Sequence, residues 1–399
     1  MKLDLAPTRP RGVDADELIT LSERSGKMLQ KIRDSMLQPF PRKQSPIYPS
    51  NKVQALCGID KTKMNYLLKR GELPLGKQEA PGRMRYFSLA ETMHWIKKTV
   101  DIPVRAPGQK GKIITVGNFK GGVTKTTTSM MLAQGLTLRR CRKVLIIDLD
   151  PQGSTTTFFG INPHAEIDPG QTVLPLIDGS AADLRAAPMK TYWDNLDLIP
   201  SSTDLFNAEF MLPAQVHQGD ANFQFWRVLR AGLEPLLDDY DYIIIDTAPT
   251  LSYLTINALF AADSIIVPVV PDALSFASMV QFWSLFSDLI GGLKSNKNAK
   301  ESKQFDYIDI LITRIPKKPT AELVKEWIIK TYRDHVLQVE IPETPLAMNT
   351  SAEFCTVYDM PSYDGSTDAY RRIAEPYDKL VDIIDNKTCT LWELQPALI

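Results

Sequence analysis

The sequence predicts an α/β fold. A mostly parallel sheet flanked by helices is preceded by an N-terminal helix and a small winged helix-turn-helix unit. Three observations predict it. The string IITVGNFKGGVTKTTT, residues 113–128, runs from a β-branched apolar segment through paired glycines into a Lys-Thr helix start. Two further apolar runs, residues 144–147 and 242–245, each end in an aspartate, as strands do when they deliver carboxylates to a ligand crevice. From Lys112 onward, apolar runs alternate with helical stretches, the pattern of a parallel sheet wrapped by helices.

Composition bounds the classes. The chain has 399 residues, 44% of them hydrophobic, enough for a large core and two or three domains. Its four cysteines (Cys57, Cys141, Cys355, Cys389) are scattered, with no C-x-x-C pair, so neither a zinc nor an iron–sulfur site is expected. The start, MKLDLAPTRPRG, lacks the apolar core of a signal peptide, and no uninterrupted apolar stretch approaches membrane-spanning length. A cytoplasmic protein with no membrane partner is the expectation. Net charge is −1, unevenly spread: residues 1–110 hold 21 Lys+Arg against 11 Asp+Glu, and the remainder 25 against 36. A basic front on an acidic body points to nucleic-acid contact by the front, although a solvated basic surface has the same charge.

The chain divides into residues 1–49, 50–105 and 106–399. Residues 1–12 read as disordered, and Asp14 to Leu37 as a helix capped by Asp14 or Asp16. Leu18, Leu21, Ser25, Met28, Ile32 and Met36 fall near a and d positions. Dimerisation and packing on its own domain both remain open for this helix. Pro39, Pro41, Pro46 and Pro49 make a stiff linker.

In the second part, Asn51–Leu56 is a short helix, Cys57-Gly58-Ile59 a tight turn, and Asp60 caps a second helix, Lys61–Arg70, stopped by Gly71. The second helix offers Lys61, Thr62, Lys63, Asn65, Tyr66 and Lys69, residue types that contact phosphates and bases. Arg83 to Phe87, after Pro81-Gly82, alternates charge with bulk as a β-hairpin wing would, adding Arg83 and Arg85 to the DNA candidates. Ser88 caps a last helix, and residues 101–111 form a linker.

The central string is a P-loop: glycines turn backbone N–H groups toward phosphate oxygens, and the helix N-terminus adds positive potential. Lys125 would reach the β/γ-phosphates and the Thr126 hydroxyl would hold Mg²⁺. The glycines stand at 121 and 122, preceded by a second lysine, Lys120, while positions 119 and 124 carry Phe119 and Thr124. This K-G-G-x-x-K-[ST] arrangement is the deviant Walker A form, and it resembles the ParA/MinD group of ATPases. Thr124 departs from the glycine commoner there. Asp148-Leu149-Asp150-Pro151-Gln152 resembles the ParA Walker A′ motif, and Tyr242–Asp246 followed by Thr247-Ala248-Pro249 reads as Walker B and switch II.

The resemblance covers roughly residues 50–385 and implies specific roles. Lys120 reaches across a dimer interface to the partner's nucleotide. Asp150 positions the attacking water, Asp148 supports the Mg²⁺ shell, and Asp246 binds Mg²⁺ through water. Catalysis would rest on Lys120, Lys125 and Asp150, and metal on Thr126, Asp148 and Asp246. Nucleotide contacts would come from residues 120–127 (Lys120, Gly121, Gly122, Val123, Thr124, Lys125, Thr126, Thr127), with Thr313 and Arg314 meeting the adenine. Further strands are expected at Asn195–Pro200, Ile265–Pro271, Asp309–Arg314 and Val339–Pro342, and helices at Ser201–Leu212, Phe223–Leu237 and Asp368–Asp385. Arg371, Arg372 and Lys379 in the final helix are either a nonspecific DNA surface or ordinary solvated charge. The histidines (His94, His164, His217, His335) show no ligand spacing.

By resemblance the chain is a long-form ParA-type partitioning ATPase using ATP and Mg²⁺. The ATP homodimer would bind nonspecific DNA and associate with the nucleoid. A ParB-type centromere-binding partner would stimulate hydrolysis, which is weak alone for want of an arginine finger. The ADP or apo form would bind operator DNA and repress the partition genes. The alternative is an ATP-switched transcriptional regulator with no partition role. A MinD-like membrane cycle is disfavoured because the tail TCTLWELQPALI lacks a basic amphipathic face.

Overall fold

The computed structural model describes residues 14–36, 43–164, 166–217, 223–294, 303–346, 354–360 and 367–394. The chain forms two units, residues 1–43 and 44–399. In the first, α1 (Ala15–Met36) begins where Asp14 accepts the Glu17 N–H at 2.9 Å, which settles the cap. Leu18, Leu21 and Met28 are exposed along it. Residues 1–13 and Leu37, Pro39 and Pro41 lie outside the described residues.

At the front of the second unit, the expected linker gives way at Ile47–Pro49 to a strand, β1, paired antiparallel with β3 (Arg85–Ser88). Tyr48 explains it: the ring is buried and its hydroxyl donates to the Tyr358 carbonyl at 3.0 Å. Then come α2 (Ser50–Cys57), left-handed Gly58, α3 (Lys61–Arg70), left-handed Gly71, β2 (Lys77–Gln78) and α4 (Leu89–Thr99). The Asp60 carboxylate accepts the Lys63 N–H at 2.6 Å, and Ser88 and Glu91 form a reciprocal capping box on α4. A three-stranded sheet of order β1-β3-β2 covers this module.

The body has an eight-stranded sheet. Its strands are β4 (Lys112–Val116), β5 (Val144–Asp148), β6 (Met189–Lys190), β7 (Leu196–Ile199), β8 (Tyr242–Asp246), β9 (Ser264–Val269), β10 (Tyr307–Ile315) and β11 (Val336–Pro342). The order is β11-β10-β9-β4-β8-β5-β7-β6, and every pair is parallel except β6 with β7. The helices are α5 (Lys125–Arg140), α6 (Ser154–Phe158), α7 (Leu174–Ile177), α8 (Ala208–His217), α9 (Val228–Leu233), α10 (Tyr253–Ala261), α11 (Ala273–Lys294), α12 (Pro319–Tyr332) and α13 (Thr367–Leu394). Strand side chains alternate between the two helical layers. Val144 and Ile146 enter the core shared with α5 and α13, while Leu145 and Ile147 enter the core beneath α7–α10.

The front module shares the first of these cores. Val53, Phe87, Trp95 and Ile96 belong to the same apolar cluster as Met130, Leu136 and Val381. The connecting segment is held as well: the Arg105 guanidinium bonds Asp241 at 3.0 Å and the carbonyls of Gln109 and Leu237 at 2.7 Å each.

Several expected bounds change. Phe223–Leu237 is a string of short turns around α9 rather than one helix. Pro235 interrupts the backbone ladder and Gly232 lies directly against Leu176. Residues 203–207 form a 3₁₀ turn before α8. The final helix continues past Asp385 to Leu394, because Thr388, Cys389 and Trp392 extend its buried stripe. Contrary to the reading of the apolar runs, the Ala273–Gly292 stretch of α11 is long and apolar enough to cross a membrane by length and composition. Met279, Phe282 and Phe286 pack one face of it into the core with β9 and β10, while Leu274, Val280 and Leu285 are exposed.

Candidate functional site

The site is built at the carboxyl ends of β4, β5 and β8, where the chain switches direction across the sheet. The loop after β4 is stitched to β9: the Gly117 N–H donates to the Ile266 carbonyl (3.0 Å) and the Asn118 amide to the Pro268 carbonyl (2.8 Å). Asn118 also accepts the Lys120 N–H at 3.0 Å, closing a tight turn. Gly121 is exposed, Gly122 has φ +74°, and Thr124 has φ 72° and ψ 27°. Thr124 thus takes the left-handed conformation a glycine would take, at a cost of about 1–2 kcal/mol for a residue with a Cβ. The departure from the glycine pattern leaves the loop's path intact and stores strain in it.

Lys125 opens α5 and is buried, with Nζ donating to the Lys120 carbonyl at 3.0 Å. Burial pulls its pKa down, and Asp246 and Asp150 pull it back up. A phosphate oxygen is a stronger acceptor than that carbonyl and would draw the same ammonium. The Thr126 hydroxyl donates to Asp246 Oδ2 at 2.7 Å, the pairing expected of a hydroxyl and a carboxylate that share a hard cation. Asp246 also receives Thr155 (2.7 Å) and Ser129 (3.3 Å). Burial raises its pKa to about 6, a shift a divalent ion would reverse. Hydroxyl and carboxylate oxygens fit Mg²⁺; the left-handed glycine loop fits a phosphate.

Asp148, the expected support of the Mg²⁺ shell, makes three local hydrogen bonds. Its Oδ2 accepts both the N–H (2.8 Å) and the hydroxyl (2.7 Å) of Thr156, and its Oδ1 accepts the Asp150 N–H (3.2 Å). Both oxygens therefore shape the turn that presents Asp150. Burial, then the nearby Asp246 charge, pushes its pKa well up. Asp150 is half-buried; its carboxylate accepts the Gln152 N–H at 2.9 Å.

Lys120 turns toward its own subunit. Nζ donates to Ser275 Oγ at 2.7 Å and lies 3.2 Å from Asp272 Oδ1, at the start of α11. Thr313 is fully buried, and its hydroxyl donates to the Val123 carbonyl at 3.2 Å, supporting the loop from beneath. Arg314 lies above it, donating to the Gly122 carbonyl (3.0 Å) and pairing with Glu343 (3.1 Å). Thr127 sits half-buried in the first turn of α5. A cleft of about 360 Å³ lies near Arg314, lined by Lys317, Glu343, Thr344 and Arg372 among others. Arg371 and Arg372 are exposed on the first turns of α13.

On the front module, Lys61, Thr62, Lys63, Asn65, Tyr66 and Lys69 all face solvent while Met64 anchors α3 inward. Arg83 is exposed. Arg85 is drawn back, its guanidinium donating to the Leu75 carbonyl at 2.9 Å.

Against known proteins, a family profile described as an AAA domain matches residues 111–299. A Rhizobium rhizogenes protein provisionally named replication protein A is 30% identical over 378 residues, 91% of this chain and 92% of that one. The chain belongs to the ParA family of DNA-partitioning ATPases. Protein SopA of Escherichia coli K12 is 29% identical over 368 residues, 90% of this ParA-family chain and 92% of its own. A solved structure described as a partition protein aligns with TM-score 0.62 at 20% identity, covering 86% of this chain and 95% of its own, and so shares the fold.

Sequence reasoning missed Thr155 and Thr156, whose hydroxyls bond the carboxylates, Ser201, whose hydroxyl bonds the Asp150 carbonyl, and the Asp272–Ser275 pair that holds Lys120. The D-x-x-S spacing after a strand, a helix-capping signature, was the available signal for the latter pair.

Proposed function

We propose that this chain is an ATP- and Mg²⁺-dependent partitioning ATPase that also regulates its own operon. The observation that carries the reading is the convergence of Lys125, Thr126 and Asp246 beneath a left-handed glycine loop, with the Asp150 turn alongside. Lys125 would neutralise charge on the terminal phosphates, Thr126 and Asp246 would hold the metal, and Asp150 would orient the attacking water. Mg²⁺ would supply further charge neutralisation. Lys120 would leave Ser275 and Asp272 to reach the partner subunit's nucleotide in an ATP dimer. Thr313 would support the loop while Arg314 borders the base.

The dimer would bind nonspecific DNA, in part through Arg371 and Arg372, and associate with the nucleoid. A ParB-type partner would stimulate hydrolysis. The module of residues 50–105 would read the operator as a winged helix-turn-helix, with α3 in the major groove and Arg83 and Arg85 at the wing. The helix of residues 15–36 would add a dimer contact. The regulator reading without partition keeps one observation in its favour, the core shared by the front module and α5.

Two DNA-binding modes test the proposal. Asn65→Ala should cost about 1–3 kcal/mol on operator DNA and leave random-sequence binding unchanged, because base contacts specify while phosphate contacts position. Random-sequence binding by the full-length chain should require ATP. Gel shifts with both DNAs, with and without ATP, check this; equal loss on both DNAs, or ATP-independent random binding, contradicts it.

A further inference from the structure

We propose that residues 201–210 form a brace between the two phosphate-facing loops, with Ser201 and Glu209 as positioning residues for the terminal phosphate. This rests on the reading of the site as an ATP site. The segment leaves the end of β7 and enters the first turn of α8.

Its near end is tied to the Asp150 turn. The Ser201 hydroxyl donates to the Asp150 carbonyl at 2.6 Å, and its N–H donates to the Thr156 hydroxyl at 2.9 Å. Thr156 is the residue whose N–H and hydroxyl both grip Asp148. Ser201 and Thr156 are fully buried. Any shift of the Asp150 backbone therefore acts on Ser201 directly.

Its far end is tied to the loop after β8. Glu209 accepts the Tyr253 N–H through Oε2 at 3.0 Å and the Leu254 N–H through Oε1 at 3.3 Å. These are the first two N–H groups of α10, which have no partner within the helix and favour a carboxylate. An ordinary cap is already present, since Ser252 accepts the Thr255 N–H at 3.1 Å. Glu209 adds a tether from a separate element, and that tether fixes where the 247–252 loop ends. The other end of the loop is held by the Thr247 hydroxyl, which donates to the Val116 carbonyl at 3.0 Å. Between them Pro249 faces Gly121, its Cβ about 4.0 Å from where a Cβ would stand on that glycine. The loop thus borders the glycine loop, and Glu209 holds its far end.

The middle of the brace is stiff. Leu205 and Ala208 are fully buried in the core that also holds Leu145, Ile147 and Ile245, so the two anchors do not move independently. Ser202, next to Ser201, keeps a buried hydroxyl without a hydrogen-bond partner among the described residues. Such groups are uncommon at a fully relaxed junction. The two loops flank the place of the terminal phosphate, which ATP has and ADP lacks. The brace should therefore act on the ATP complex and spare the ADP complex.

The test uses the full-length chain. Affinities for ATPγS and ADP are measured with Mg²⁺, together with dimerisation by sedimentation and thermal melting. Glu209→Ala should weaken ATPγS about tenfold and suppress its dimer, while ADP affinity changes less than about twofold. Ser201→Ala should follow the same pattern. Glu209→Gln should recover part of the loss, because its carbonyl still accepts one N–H. Parallel losses for both nucleotides, or unchanged ATPγS affinity, overturn the brace. If Glu209→Ala does not fold, Ser201→Ala and Glu209→Gln decide by the same criterion. A wild type that binds neither nucleotide overturns the ATPase reading and the brace together, whereas a wild type that binds both while the variants behave like it overturns only the brace.

Discussion

At the residue scale, the proposed function assigns the holding of phosphate and the presenting of water to different residues. Lys125 reaches the cradle from inside the molecule, buried beside Asp246, so its charge acts in a low-dielectric setting. Asp150 stands on a turn shaped by Asp148, outside that cradle. Lys125→Ala should abolish binding of a fluorescent ATP analogue. Asp150→Ala should bind the analogue and sediment as a dimer with ATP, yet release no phosphate. Near-normal affinity in the first variant or normal turnover in the second contradicts these roles. The charged members of the site were legible because they close strands and loops in recognisable strings. The hydroxyls were not: Thr155 and Thr156 matter through which carboxylate they face and Ser201 through its bond to the Asp150 carbonyl, and these follow from how β5, β7 and β8 stack. Thr313 shows the same limit from the other side. The family resemblance implied a place for it beside the base, and no sequence signal foretold that its hydroxyl bonds the Val123 carbonyl.

At the element scale, α5 carries the most information. Every residue from Thr128 to Leu138 is buried, so the helix that starts at the phosphate cradle is enclosed by the sheet, α4 and α13. Gly135 permits this. A Cβ there would meet the Val381 side chain well inside contact distance and the Tyr358 hydroxyl at 3.0 Å. Helix propensity alone would make Gly135→Ala stabilising by about 1 kcal/mol. The stiff, buried valine overrides that, and overpacking should leave the variant less stable by about 1–3 kcal/mol. Thermal melting checks it; an unchanged or raised Tm contradicts the packing argument. The helix ends were readable where local chemistry sets them, as at Asp60, Gly71 and Ser88. They were misread where distant contacts set them: Tyr48 makes a strand of a proline linker, and Trp392 carries α13 beyond Asp385.

At the scale of the whole molecule, the front module and the nucleotide-binding body share one core. Removing residues 1–105 would strip Phe87, Trp95 and Ile96 from contact with α5 and expose apolar surface on the body. Nucleotide and DNA experiments therefore belong on the full chain. The charge asymmetry that pointed to nucleic acid has its counterpart in the exposed cations of α3, and the mostly parallel sheet, though not its strand order, was foreseen from alternating apolar runs. That the two parts pack together could not be read from the chain, because it depends on side chains such as Tyr48 and Cys141, which look unremarkable in sequence. Cys141 donates to the Met93 carbonyl across that contact. The central claim, an ATPase whose turnover is set by its partners, is tested most directly by phosphate release from the purified full-length chain with Mg²⁺. The measurement is made alone, with random-sequence DNA, and with DNA plus a ParB-type centromere-binding protein. Slow release alone, rising at least about tenfold with DNA and partner together, is the predicted result. Release that does not rise when DNA and partner are added, or no ATP hydrolysis under any of the three conditions, would contradict the account.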